Sequence, residues 1–226
     1  MKGGSRMPLP GQVQDAASSV PGFDCDAVLS ADLARQFFSQ GYKFCLRYLS
    51  RAQAAQNLTA QEATDILDSG LALMPVQHAR PPRWSPDASL GQADGQEASA
   101  NAKAIGFPTG VNVWCDLEEV STAARPQDVT DYARAWYHAV HAAGYSPGLY
   151  VGAATLLSGQ QLFDLPFRHY WRSSSHVPDI PRRGYQLIQF SPAIQLNGIA
   201  IDLDVALPDN EGGSARWLRA SAGHPL

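Results

Sequence analysis

Apolar runs of strand length alternate along this chain with segments that carry helix start and stop signals, the pattern of a βαβ series. The predicted strands are "PGFDCD" (21–26), "KFCLRYL" (43–49), "LALMPVQ" (71–77), "VNVWCDLE" (111–118), "GLYVG" (148–152), "HYWRSS" (169–174), "YQLIQF" (185–190) and "IAIDLDVA" (199–206), eight in all. The first helix begins near Ser30, places Leu33, Ala34, Phe37 and Phe38 on one face and stops at Gly41. A second runs from Thr59, with Glu62 three residues on as a capping box, to Gly70. A third is expected from about Gly95 to Ile105, ahead of Gly106 and Pro108, and a fourth from Pro126 to Ala143, ahead of Gly144.

Beyond the fifth strand the pattern changes. "SSSHVPDIPRRG" and "SPAIQLNG" are short and rich in Ser, Pro and Gly, which leaves no room for full helices among the last three strands. The expected fold is therefore α/β, a modified TIM-type (β/α)8 barrel with helices reduced or missing there. A doubly wound open sheet competes, but neither GxGxxG nor a P-loop supports it. With 226 residues and 45% hydrophobic content the chain has room for one such domain. We assign residues 1–20 to a flexible leader, 21–208 to the barrel and 209–226 to a loosely ordered tail, on which Trp217 is a candidate for docking.

Composition narrows the partners. The formal charge is −4 and Lys/Arg-rich runs are lacking, so neither a nucleic acid nor an anionic membrane surface is expected as a partner. No apolar stretch approaches the roughly 18 to 20 residues of a membrane span, and a monomer without membrane insertion is expected. The opening "MKGGSRMPLPGQVQDAASSVP" has Gly, Ser, Pro and Gln where a secretory signal carries its apolar segment. That leaves a cytoplasmic setting or a specialised, non-classical secretion route. Three cysteines, Cys25, Cys45 and Cys115, without a CxxC pair read as buried thiols, with a Cys25–Cys45 bridge open if their strands are neighbours.

The concentrated chemistry is carboxylate. Residues two apart on a strand share a face, so Asp24 pairs with Asp26, Asp116 with Glu118, and Asp202 with Asp204. These pairs are expected at or near the C-terminal ends of the first, fourth and eighth strands, the rim where βα barrels carry active sites. Acids at a strand end can also simply meet solvent or cap the next helix, but three pairs at one rim favour a site. Crowded carboxylates drive one another's pKa values apart, so that one keeps its proton as general acid while another stays anionic and stabilises positive charge, as glycosidic cleavage requires. Glu118 is assigned the acid, Asp116 the orienting or stabilising role, and Asp24 and Asp202 the acidic floor; Asp26 is a rim residue.

Tyr150, Trp171 and Asp204, with Arg47 and Gln77 late in their strands, are candidate substrate contacts. Trp114 and Phe190 are further rings that either stack on a sugar or pack in the core, and Arg47 and Gln77 equally suit a structural role pinning the rim. His78, after the third strand, could join the acids around a divalent cation. His138 and His141, on the fourth helix, belong outside the barrel. No GxSxG elbow or recognisable Cys–His arrangement supports a covalent acyl mechanism.

The order "GFD", "DLE", "GLYVG", "YWRSS", "QLIQF" and "IDLDVA" resembles family 25 glycoside hydrolases, the lysozyme-like muramidases. More closely, residues from about 21 to 207 look like the bacterial glycoside-hydrolase-like domain-of-unknown-function family. The resemblance implies a barrel missing helices among its last strands, cleavage of the N-acetylmuramic acid to N-acetylglucosamine link of peptidoglycan, no metal and no cofactor. It places functional acids at Asp24, Asp116, Glu118 and Asp202. The sequence departs from the muramidases at "CLRYLS", where Arg47 stands in their Lys-Ala-Thr-Glu strand ending, and at "LMPVQH" in place of Gly-x-Tyr-His. These departures bear on the substrate rather than the fold. Two functions follow: a hydrolase of peptidoglycan or a related polysaccharide, or a non-catalytic glycan-binding barrel, with a metal-dependent hydrolase as a variant of the first.

Overall fold

The computed structural model describes residues 8–49, 56–77 and 80–221, with residues 191 and 192 followed by backbone alone. Eight strands close a barrel: β2 (Val20–Cys25), β3 (Phe44–Leu49), β4 (Ala72–Gln77), β5 (Asn112–Leu117), β6 (Ser146–Val151), β7 (His169–Arg172), β8 (Leu187–Leu196) and β9 (Ile199–Ala206). The pairing of β4 with β5 completes the ring. Neighbours run parallel from β2 through β8, whereas β9 is antiparallel to both β8 and β2. The barrel expectation holds, and the open sheet is excluded.

The antiparallel β9 corrects the expectation that Asp202 and Asp204 end a parallel strand. They reach the C-terminal rim of the other strands from within a strand running the opposite way, with Asp202 opposite Asp24 and Asp204 opposite Gly22. The reversal comes from a tight hairpin. "SPAIQLNG", expected as a loop, continues β8 to Leu196, past an irregularity between Phe190 and Ile194, and turns at Asn197 and Gly198. Both turn residues have positive φ (52° and 85°), as a two-residue type I′ turn demands.

Helices α1 (Ala31–Ser39), α2 (Ala60–Asp68), α3 (Ala88–Ile105) and α4 (Pro126–Ala142) cover the early strands, and only the short α5 (Gly159–Phe163) follows β6. Ser30 and Thr59 cap α1 and α2 as their sequences indicate. The α2 capping box is only half made, because the Glu62 carboxylate turns away to the Leu29 N–H and to Arg47. Helix α3 starts at Ala88, two turns earlier than expected, capped by Asp87. Gly91 and Gly95 read as weak helix formers, yet they mark where α4 crosses closely: a Cβ at Gly91 would lie 2.1 Å from the Tyr132 carbonyl oxygen.

Two apolar layers result. The outer one, between strands and helices, holds Phe23, Phe37, Ile66, Val113, Trp136 and Leu149; the inner one fills the barrel with Phe44, Leu46, Met74, Trp114, Trp171 and Trp217. The leader and tail are more ordered than their polar composition indicates. β1 (Gln12–Asp15) pairs antiparallel with β10 (Arg216–Arg219), and β10 adds to β4 at Leu218. Trp217 is thereby buried in the inner layer, its ring 5.5 Å from that of Phe44. Burial of the indole, together with the strand pairing of β1 and β10, offsets the cost of ordering these residues.

Candidate active site

The inner face of each strand is set by alternation. On β2 it carries Gly22 and Asp24, on β3 Phe44, Leu46 and Tyr48, and on β5 Trp114 and Asp116. Below lies the packed inner layer; above it the same positions turn polar, and the acids meet there.

Asp24 is 1% exposed. Tyr48 donates its hydroxyl to Oδ1 (2.7 Å) and Gln189 its side-chain N–H to Oδ2 (2.9 Å). Burial pushes the Asp24 pKa up to about 6, with these hydrogen bonds pulling the other way. Gln189 is the hub of this floor, since its Oε1 also accepts from the Tyr150 hydroxyl (3.0 Å) and the Ser174 N–H (3.3 Å).

Asp204 lies deeper, and its Oδ1 accepts the Trp171 indole N–H at 2.9 Å. Burial and the neighbouring Asp24 hold its pKa well above the carboxylate range. As a carboxylate its buried Oδ2 would have no donor to accept from, and burial beside Asp24 favours the form that keeps its proton.

Glu118 follows β5 and is half-buried. Its pKa is raised to about 7, first by desolvation, then by the charges of Glu119, Asp24 and Asp202. Room for it comes from Gly152, where a Cβ would stand 2.4 Å from the Glu118 Cβ and 2.6 Å from Oε2. Asp202, partly exposed, is also raised, by desolvation and by Asp26. Asp116 is half-buried, and its charge bears on the Tyr48 and Tyr150 hydroxyls, which stay protonated. A cavity of about 440 Å³ opens beside this group, with Asp24, Asp26, Tyr48, Ala193, Ile199 and Asp202 in its wall.

The structure thus gathers Asp24, Asp116, Glu118, Asp202, Asp204 and Tyr150 at one end of the barrel. Trp171 lies beneath them, 1% exposed and packed on Tyr150 and Trp114 at centroid distances of 4.4 and 6.0 Å, so its ring faces protein rather than an open cleft. Arg47 and Gln77 are corrected: both point outward, into the layer between strands and helices. Arg47 Nε donates to Glu62 at 2.7 Å and its other nitrogens to the Cys25 and Gln56 carbonyls, while Gln77 accepts from the Trp136 indole. Phe190 is outside the barrel, half-exposed. His78 lies outside the described residues. Among the described residues no three His, Cys, Asp or Glu side chains are arranged around a common metal position. Cys25, Cys45 and Cys115 are buried free thiols. Tyr48 and Gln189 are the site residues sequence reasoning missed; a polar residue in phase with Leu187 on β8 is the signal that marks Gln189.

A family model described as "Rv2525c-like, glycoside hydrolase-like domain" matches residues 35–206. Among solved structures, the Mycobacterium tuberculosis Tat-secreted protein Rv2525c aligns with a TM-score of 0.66 at 18% identity, covering 87% of this chain and 99% of that one. An uncharacterized B. stearothermophilus protein aligns at 0.64 and 20% identity, covering 83% and 95%. A family 25 glycosyl hydrolase from Bacillus anthracis aligns at 0.57 and 15% identity, covering 86% and 91%. No curated protein matches the chain.

Proposed function

Since the chain belongs to the Rv2525c-like, glycoside hydrolase-like family, we propose that it is a glycan hydrolase in which Glu118 is the general acid and peptidoglycan or a related polysaccharide the substrate. One observation carries this reading: Glu118 stands past the end of β5, its side chain packed over Gly152 at the barrel end that also holds Asp24 and Asp202, and desolvation with the neighbouring acids raises it to about 7. At neutral pH a large share of Glu118 holds a proton that it can give to a glycosidic oxygen, and protonating that leaving group is the first demand of the reaction. The second demand is negative charge beside the ring as it becomes an oxocarbenium ion. Asp24, braced by Tyr48 and Gln189, meets it, with Asp116 and Asp202 beside it. Asp204 keeps its proton and sets the Asp24 orientation from below.

The family 25 hydrolase and the muramidases of similar fold support a bacterial cell-wall glycan as substrate. The Tat-secreted M. tuberculosis relative supports an exported setting. No helix among the described residues is long and apolar enough to cross a membrane.

The test is turbidity loss of purified cell walls with the wild type and with Glu118→Gln. Lysis by the wild type and its loss in the variant support the hydrolase. Pull-down of walls without lysis by either protein points to a glycan-binding barrel instead, and equal lysis by both removes Glu118 from the role of acid. Loss of lysis in EDTA with rescue by a divalent ion would replace the carboxylate mechanism with a metal-dependent one.

A further inference from the structure

The stretch after β4 is stitched to the residues that follow β5 by three hydrogen bonds. The Trp84 indole N–H donates to the Glu118 carbonyl (2.8 Å), the Arg83 N–H to the Glu119 carbonyl (2.7 Å), and the Ser121 N–H to the Trp84 carbonyl (2.8 Å). Trp84 and Val120 also form a parallel bridge. Glu119 itself has φ of +51°, a left-handed conformation that costs a non-glycine residue free energy unless the surroundings hold it. Here the surroundings do, because the Glu119 N–H is also bound, to the Ala153 carbonyl at 2.7 Å. The peptide that carries Glu118 is thus fixed on both sides.

Trp84 is itself braced from behind. The Arg80 guanidinium lies 5.7 Å from its ring centroid and forms a two-pronged pair with Asp94 of α3 (2.8 and 2.6 Å). Asp94 is fully buried and also accepts the Tyr132 hydroxyl at 2.8 Å, and the Tyr132 ring packs edge-on against Trp84 at 4.8 Å. A buried carboxylate held by a bidentate arginine is a rigid anchor. The chain of contacts runs without a gap from the α3–α4 layer to the Glu118 backbone.

We propose that Trp84 is a positioning residue for the Glu118 carboxyl, clamping the peptide that carries it, with Arg80, Asp94 and Tyr132 as its brace. This rests on the reading of Glu118 as proton donor. The device follows from the strand ending: Glu118 lies one residue past β5, flanked by the last bonds to the β6 side at Leu117 and Glu119, and a general acid must be kept within hydrogen-bond reach of the bond it protonates. Without the indole N–H, the Glu118 carbonyl loses its partner, the peptide is held on one side alone, and the side chain can swing from its acidic neighbours toward water.

The test reads the Glu118 side chain directly, by carbon-detected NMR titration of its labelled carboxyl, alongside kcat and KM on soluble cell-wall fragments. Trp84→Phe keeps an aromatic ring and removes the donor. Its Glu118 midpoint is expected to fall by about one pH unit, and kcat by about tenfold with KM within about twofold, the equivalent of one lost orienting hydrogen bond. Arg80→Lys keeps a cation on Asp94 but loses the fork and the stacked plane, and is expected to shift the midpoint in the same direction by less. Trp136→Phe, which removes an equally buried indole from the outer layer, is expected to leave both readouts unchanged. The proposal is overturned if neither Trp84→Phe nor Arg80→Lys moves the midpoint, or if Trp136→Phe moves it as far. An inactive wild type would sink the hydrolase reading while leaving the titration to decide the clamp.

Discussion

Asp24 on β2 and Asp202 on β9 are direct register partners across an antiparallel seam, so residues from opposite ends of the barrel sequence place their carboxylates on one rim. Two like charges so placed raise the cost of ionisation. The cleft is consequently built to hold protons, and both its activity and its stability should depend on pH.

Hydrolysis should show an alkaline limb centred near pH 7. Glu118 must be protonated to act, and its midpoint lies at about 7. Above that pH the rate is expected to fall about tenfold per unit. Initial rates between pH 5 and 9 check this, and a flat profile across the range would contradict the assignment.

Stability should fall as pH rises. Asp24 moves from an ordinary value of 3.8 to about 6 on folding, and Asp204 is raised in the same direction by burial and by Asp24. The native state therefore holds more protons than the unfolded chain in this window. The favourable contribution is complete below about pH 4 and is lost as pH climbs through 6, on the order of 3 kcal/mol for Asp24. Asp204→Asn should flatten part of the slope without harming the fold, because it removes the titrating group while an amide of the same shape keeps an oxygen for the Trp171 bond. Urea midpoints at pH 5 and pH 8 for the two proteins measure the difference.

Gly152→Ala should abolish activity in a folded protein. The added methyl would occupy the space of the Glu118 side chain, at a stability cost of about 1–3 kcal/mol. A loss of cell-wall lysis of at least about a hundredfold, with an unchanged circular dichroism spectrum, is expected. Retained lysis would mean that Glu118 works from another position.

Arg47 should matter to folding and not to binding. Arg47→Met strands the buried Glu62 carboxylate, a loss of about 3–5 kcal/mol, and Arg47→Met combined with Glu62→Gln should recover most of it. Any folded variant should keep the wild-type KM. Denaturant melts and steady-state kinetics separate the two effects.

Trp217→Ala should cost about 3–5 kcal/mol although it lies in the tail, since the indole fills the inner layer against Phe44. A change in Tm no larger than that of an exposed substitution would show the tail to be dispensable.

Local rules made the strands and most helix ends readable. Asp24, Asp116 and Glu118 could be placed at strand ends from two-residue alternation, and Ser30, Thr59 and Pro126 announced their helices through capping chemistry that acts within one turn. Helix α3 begins two turns before its sequence signals, because the reason for Gly91 and Gly95 lies on α4, in a contact that local propensity does not encode. Arg47 and Gln77 were placed on the wrong side because alternation says which residues share a face, but not which face looks inward.

From the sequence alone came a barrel with acids at its strand ends, Asp24, Asp116 and Glu118 among them, because hydrophobic period and turn chemistry are written in adjacent residues. Only the tertiary structure decided that β9 runs backward, that Asp204 is buried against Asp24, and that Trp84 grips the Glu118 peptide. Each depends on groups brought together by barrel closure, and hydrogen bonds, desolvation and charge repulsion act over a few ångströms of space however far apart their partners lie along the chain.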